Sequence, residues 1–454
     1  MTSIDNSSLQ ARKFAAKYHF SKNRRVIVFS KLVCAKTIRI CVGNRVLSTP
    51  LLGVSIRYKA QHSSFKSPSS FRFTHSQATA MSPYPSLLSP VKLGSVPLRN
   101  GVVMSALTRD RSTPTNVPND LNREYYEQRA KGGAGLIVTE GALISQQGTE
   151  WQNAPGIWSQ EHVAGWKKIV DVVHNNGGKI FCQLWHLGRV SHPDAPEQLK
   201  SGLPVYAPSA ISARGGKFRF LPGSPGYVTP TEVPDPTILI GQYKKAAINA
   251  KEAGFDGVEL HGANGYLVQQ FLDNTSNHRT DRWGGSAENR SRFGLEVLKE
   301  IVAIWGADKV GVKLNPCGGY NDMGMSLEDT IETYSHFIKE ADALGLAYIC
   351  LVRYAAKLDA EFDGKTRATQ HDVLGTYGPL IKNASILLNG DISPQEGEEL
   401  IKAGKISGVE LGWVWIGTPD VVSRLQNGKE LNYNVAIHRL YGGDGTGYTD
   451  YPFA

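Results

Sequence analysis

The chain has 454 residues, 41 % hydrophobic and 20 % charged, enough apolar material for a sizeable core, and no stretch approaches the ~18 consecutive apolar residues of a membrane helix. Its formal charge of +9 is concentrated at one end: residues 1–80 hold 14 Lys and Arg against the single acid Asp5, leaving 36 basic and 40 acidic residues in the rest. A mildly acidic body carries no basic footprint for DNA or RNA, so neither a nucleic acid nor a membrane is an expected partner.

In chain order, residues 1–80 form a basic, Ser-rich extension expected to be disordered, with Met81 as an alternative start. This composition is also that of a transit peptide. The expected location is therefore cytoplasmic, or mitochondrial if the extension is an import signal. The five cysteines, Cys34, Cys41, Cys182, Cys317 and Cys350, show neither CxxC nor zinc spacing, which fits a reducing compartment and predicts no metal site.

Residues 81–454 read as one α/β domain in which short β-branched runs alternate with stretches of helical period. Strands are predicted at 102–107, 135–140, 179–185, 257–261, 309–314, 346–352, 385–389 and 408–412. The helices between them are predicted at 120–131, 160–175, 237–253, 287–305, 327–344 and 394–403. Eight such units close a (β/α)8 TIM barrel, whose chemistry sits at the C-terminal ends of its strands. The Pro- and Gly-rich connection 186–236, between the third strand and its helix, is long enough to be a lid or binding element. The Gly-rich run 442–447 follows no strand and opens no helix, so it is expected to be a mobile loop and not a dinucleotide-binding turn.

At the fourth strand the string HGANGYLVQQFLDNTSNHRTDRWGGSAENR begins at His261; PLRNGVVMSALTR lies near residue 100 and FCQLWHLGRVSHP near 185. Together these resemble the old yellow enzyme family of FMN-dependent ene-reductases, from about residue 82 to the C-terminus. The residue types suit that chemistry. His261 and Asn264 can aim N–H donors at one carbonyl oxygen and polarise an activated alkene for hydride attack. Tyr266 can then protonate the α-carbon.

The remaining roles are implied by the resemblance. Ala106, Thr108, Gly141 and Gln183 would meet the flavin ring, Trp185 would line the substrate pocket, and Gly390 and Gly412 would offer backbone to the phosphate. Two positions depart from the family pattern. Lys313 stands where most members have an arginine beside flavin N1 and O2, and Trp413 replaces the arginine that usually grips the phosphate. The implied function is reduction of α,β-unsaturated carbonyl compounds or related activated alkenes by NAD(P)H through FMN, in a ping-pong cycle, by a monomer or homodimer. The alternatives are a flavin-dependent isomerase or oxidase on the same site, and a non-catalytic barrel with weakened FMN binding.

Overall fold

The structure, a computed structural model, describes residues 37–42, 45–50, 82–215 and 226–454. In the extension, expected to be unstructured, it places an antiparallel strand pair, Thr37–Val42 with Arg45–Pro50, in the first of which Ile38, Ile40 and Val42 alternate with other residues. The rest of that segment lies outside the described residues.

Residues 78–454 form a separate compact unit. Eight parallel strands run through it: β1 Val102–Met104, β2 Leu136–Val138, β3 Ile180–Trp185, β4 Gly257–Gly262, β5 Val310–Leu314, β6 Tyr348–Val352, β7 Ser385–Asn389 and β8 Gly408–Leu411. Each pairs with the next, and β8 returns to β1 through Val409 opposite Val102, so the barrel is closed. The main helices are α1 Asp120–Lys131, α2 Gln160–Asn175, α3 Thr237–Glu252, α4 Leu267–Leu272, α5 Ala287–Trp305, α6 Leu327–Ala343, α7 Val373–Tyr377 and α8 Pro394–Lys402. Their starts follow local chemistry: the side chains of Asn119, Ser286, Ser326 and Ser393 accept from the first free backbone N–H groups of α1, α5, α6 and α8.

Strand period divides the core in two. Val102, Ile137, Ile180, Val258, Val312, Ile349, Leu388 and Val409 join the apolar layer beneath the helices. Their neighbours Val103, Leu136, Val138, Phe181, Tyr348, Cys350 and Leu387 point inward. A hairpin, Val91–Leu93 with Val96–Leu98, adds Leu93, Val96 and Leu98 to that interior and plugs the N-terminal end. The apolar filling therefore occupies the lower barrel and leaves the rim for polar side chains.

The described part of the long connection lies over the rim, and residues 216–225 are outside the described ones. Its Leu187, Val190 and Ala213 pack with Trp151, Trp185 and Tyr266. The run 442–447, expected to be mobile, is instead tied down by two buried arginines. Arg109 donates to the carbonyl of Gly447 at 2.8 Å, and Arg111 donates to those of Asp444 and Thr446 at 2.9 and 3.3 Å. Carbonyls freed by a glycine-rich turn are suitable acceptors for guanidinium groups.

Candidate active site

Inward parity continues upward from the apolar layer. Ser105 is two residues beyond Val103, Gln183 and Trp185 follow Phe181, Asn389 follows Leu387, and Glu259 and His261 share the inner face of β4. At the C-terminal rim these strands surround a cavity of about 520 Å³, within the range of small-molecule sites. All eleven residues singled out from the sequence line it: Ala106, Thr108, Gly141, Gln183, Trp185, His261, Asn264, Tyr266, Lys313, Gly390 and Gly412.

One wall is built by the turn after β4. Asn264 adopts φ 58° and its carbonyl accepts from Asn321 Nδ2 at 2.9 Å, while the amide oxygen of its side chain is buried with no hydrogen-bond partner. His261 is 6 % exposed; burial first, and then the nearby charge of Lys313, lowers its pKa to about 3. The imidazole is thus neutral, and the backbone N–H of Ala263 donates to Nδ1 at 3.4 Å, which leaves Nε2 as the protonated, donating nitrogen. The Tyr266 ring packs edge-on against both His261 and Trp185, with each pair of centroids 5.0 Å apart. Burial holds its phenol well above the ordinary tyrosine pKa, so it keeps its proton.

A second wall reads as an acceptor and cation edge. Gln183 Nε2 donates to Glu259 Oε1 at 2.8 Å, which turns the NH2 end of the amide into the barrel. Lys313, which stands where most members have an arginine, is ion-paired: its Nζ lies 2.8 Å from Glu410 Oε1 and donates to Ser105 Oγ at 2.8 Å. Above this wall, Glu140 fixes the loop that carries Thr108. Its buried carboxylate accepts from the backbone N–H groups of Arg109 and Asp110 at 2.9 and 3.1 Å. Gly141 has a packing reason of its own, since a Cβ there would lie 2.7 Å from the Trp185 ring.

The third region lies at the ends of β7 and β8. Gly390 adopts φ 91°, whereas Gly412 has an ordinary φ and a Cβ added to it would meet only Leu107, at 3.6 Å. No demand of the backbone or of packing accounts for that glycine, and it faces the cavity. Trp413 lines the same end, together with Asp391 and Lys357. Lys357 Nζ is 3.0 Å from Asp391 Oδ1 and 5.7 Å from the Trp413 ring centroid.

Sequence reasoning missed Glu259 and Glu410 below the floor, Lys357 at the β7–β8 end, and the aromatic walls Trp151, Tyr320, Tyr433 and Tyr441. The two glutamates carried a usable signal, for each alternates with outward apolar residues on its strand. The aromatic residues come from connections, and nothing in their spacing brings them together. The long connection contributes no described residue to the main cavity. It lines a neighbouring cavity of about 490 Å³ through Leu187, Val190, Arg214, Gly215 and Tyr227, and the two cavities share Trp151, Tyr266, Tyr320, Lys357 and Leu358.

Residues 86–432 match the model of the NADH:flavin oxidoreductase / NADH oxidase family. Among curated proteins, the chain is 35 % identical over 386 residues to 12-oxophytodienoate reductase 7 of Oryza sativa subsp. japonica, covering 81 % of this chain and 94 % of that one. It is 37 % identical over 378 residues to a protein of Epichloe festucae var. lolii named probable inactive reductase easA, covering 81 % and 95 %. Among solved structures, the old yellow enzyme homologue of Zymomonas mobilis superposes with a TM-score of 0.75 at 33 % identity, covering 82 % of this chain and all of that one.

Proposed function

Because the chain belongs to the NADH:flavin oxidoreductase / NADH oxidase family, that of the old yellow enzymes, we propose that its rim cavity reduces the C=C bond of α,β-unsaturated carbonyl compounds and related activated alkenes. The protein is an NAD(P)H-dependent flavin oxidoreductase, and the cofactor of its family is FMN. When bound, FMN supplies the redox chemistry, taking hydride from NAD(P)H and passing it to the alkene.

The residues present fit that cofactor. Gln183, Lys313 and Ser105 offer a polar edge to a pyrimidine ring, and Trp185 closes one side. The space left by Gly412, which no protein atom requires, admits a ligand close to the backbone. Gly390 and Gly412 would hold the phosphate by backbone N–H groups. In place of the missing arginine, Lys357, which pairs with Asp391 at 3.0 Å, would supply the cation at that end.

The chain's own chemistry is acid and electrophile. His261 Nε2–H and the Asn264 amide hold the substrate carbonyl and stabilise the negative charge that hydride addition creates. Tyr266 delivers its proton to the α-carbon. NAD(P)H and alkene use the same cavity in turn, which gives a ping-pong cycle. The observation that carries this reading is the convergence, on one cavity lining, of a neutral histidine, the Asn264 side chain and a phenol that holds its proton.

Trp413 and Asp391 favour a second reading, a barrel whose FMN is weakly held. A phenolate ligand separates the two. Stacked on bound flavin, a phenolate gives a long-wavelength charge-transfer band, and the variant with both His261→Ala and Asn264→Ala should lose that band at ligand concentrations that saturate the parent, with flavin content kept. A band retained at unchanged affinity would remove the pair from the carbonyl site, and a parent without flavin would favour the second reading.

A further inference from the structure

Under the cavity floor lies a closed polar cluster whose two acids have no part in the proposed chemistry. Glu410 and Glu259 are fully buried on the inner faces of β8 and β4, and Lys313 on β5 is 4 % exposed. Lys313 Nζ is 2.8 Å from Glu410 Oε1, and the other Glu410 oxygen accepts from Cys350 Sγ. Glu259 accepts from Gln183 Nε2 at 2.8 Å and from the Tyr348 hydroxyl at 3.0 Å. Among the described residues, Lys313 is therefore the one cation in a cluster with two acids. Lys313 lines the cavity and Glu410 lies behind it.

Burial alone would strip Lys313 of its proton, but the Glu410 carboxylate outweighs that cost and raises its pKa above the ordinary lysine value. Glu259 is the reverse case. Burial first, and then the charge of Glu410, pushes it up to about 8, so it is largely neutral at pH 7. The cluster then consists of one ammonium and one carboxylate in contact. In a low-dielectric interior such a pair projects far less field into the cavity than an unpaired cation would.

We propose that Glu410 is a positioning residue that sets the redox potential of the bound flavin by neutralising Lys313, so that the floor offers the pyrimidine edge an ion pair in place of a free cation. This rests on the flavin reading given above. Reduction adds negative charge at the pyrimidine edge, and a free cation there would favour the reduced form. The pair withholds most of that preference, while Glu410 also keeps Lys313 charged and aimed at Ser105.

The test is a redox titration of the flavin-loaded protein in four forms: parent, Glu410→Gln, Lys313→Met, and both substitutions together. Glu410→Gln preserves the size of the side chain and removes only its charge. It should favour reduced over oxidised flavin by tenfold or more, about 30 mV upward for a two-electron couple. Lys313→Met should move the potential downward by a comparable factor, and the double variant should return close to the parent. Sulfite, which adds to oxidised flavin and likewise places negative charge on the pyrimidine, should bind Glu410→Gln about tenfold more tightly. A role confined to packing would not give opposite signs for the two single variants. An unchanged or lowered potential in Glu410→Gln overturns the proposal. If the single variants do not fold, the double variant decides, because the charges leave together: a parent-like potential supports the pair and a tenfold-equivalent drop overturns it. A parent that binds no flavin overturns the flavin reading with it, whereas a flavin-loaded parent indifferent to Glu410 overturns this inference alone.

Discussion

Replacing Tyr266 with Phe removes one oxygen from a ring that is otherwise held in place. The ring is fixed edge-on between Trp185 and His261 with both centroids 5.0 Å away, and those contacts survive the substitution. What is lost is a proton that the site retains firmly. Burial first, and then Tyr320, Tyr227, Tyr441 and Glu150, hold the phenol above its ordinary pKa, so the hydroxyl is protonated across the working range. A positioned general acid contributes ~10²–10⁴ in rate, and the lower figure corresponds to about 2.7 kcal/mol of barrier. Stopped-flow absorbance separates the two half-reactions. Flavin reduction by NAD(P)H should be nearly unchanged, while reoxidation by an enone should slow by ~10²-fold or more. Nitroalkenes should suffer less, because a nitronate is stable without immediate protonation. Equal slowing of both half-reactions would refute the assignment, since it would locate the damage in the flavin site.

Lys357→Ala should weaken FMN by about tenfold, the lower end expected for a charge-assisted bond at a half-exposed group, and leave riboflavin affinity unchanged. Trp413→Arg should tighten FMN. Fluorescence-quenching titrations with both flavins check this, and equal effects on FMN and riboflavin would remove Lys357 from the phosphate site. Stability should also respond to Glu259. Its folded pKa of about 8 stands above the ordinary carboxylate value, so the folded state holds the proton that the unfolded chain releases. Its contribution is complete below the unfolded pKa and is lost as pH rises through about 8, with a slope of at most about 1.4 kcal/mol per pH unit. Urea unfolding of parent and Glu259→Gln from pH 5 to pH 9 should show that slope only in the parent, and parallel curves would show Glu259 ionised in the fold.

The barrel was legible because its two periods are local. β7 and the helices at 120–131, 160–175 and 287–305 end where the sequence places them, since each boundary carries its own cap or turn residue. The predicted strand 102–107 is shorter in the fold: Ser105 still donates its backbone N–H to the Leu411 carbonyl at 2.8 Å, and Ala106 to Thr108 leave the ladder to line the cavity. Lys313 was legible as a position and not as half of a pair. Its partner Glu410 sits three strands away across the barrel, and only closure brings the two inner faces together. Gly141 was read as a place for close approach to the flavin, but the structure gives its missing side chain a packing reason in the Trp185 ring. The loop 442–447 looked mobile by composition because the arginines that hold it, Arg109 and Arg111, lie more than three hundred residues earlier.

The most direct measurement is anaerobic titration of the purified protein, loaded with FMN, first with NADPH or NADH and then with a simple enone such as 2-cyclohexenone. Bleaching of the flavin absorbance by the nicotinamide, and its return in proportion to enone added with saturated ketone as the product, is the expected result. A protein that takes up FMN and is bleached, yet is not reoxidised by enone, nitroalkene or maleimide, would contradict the assignment of this cavity to alkene reduction.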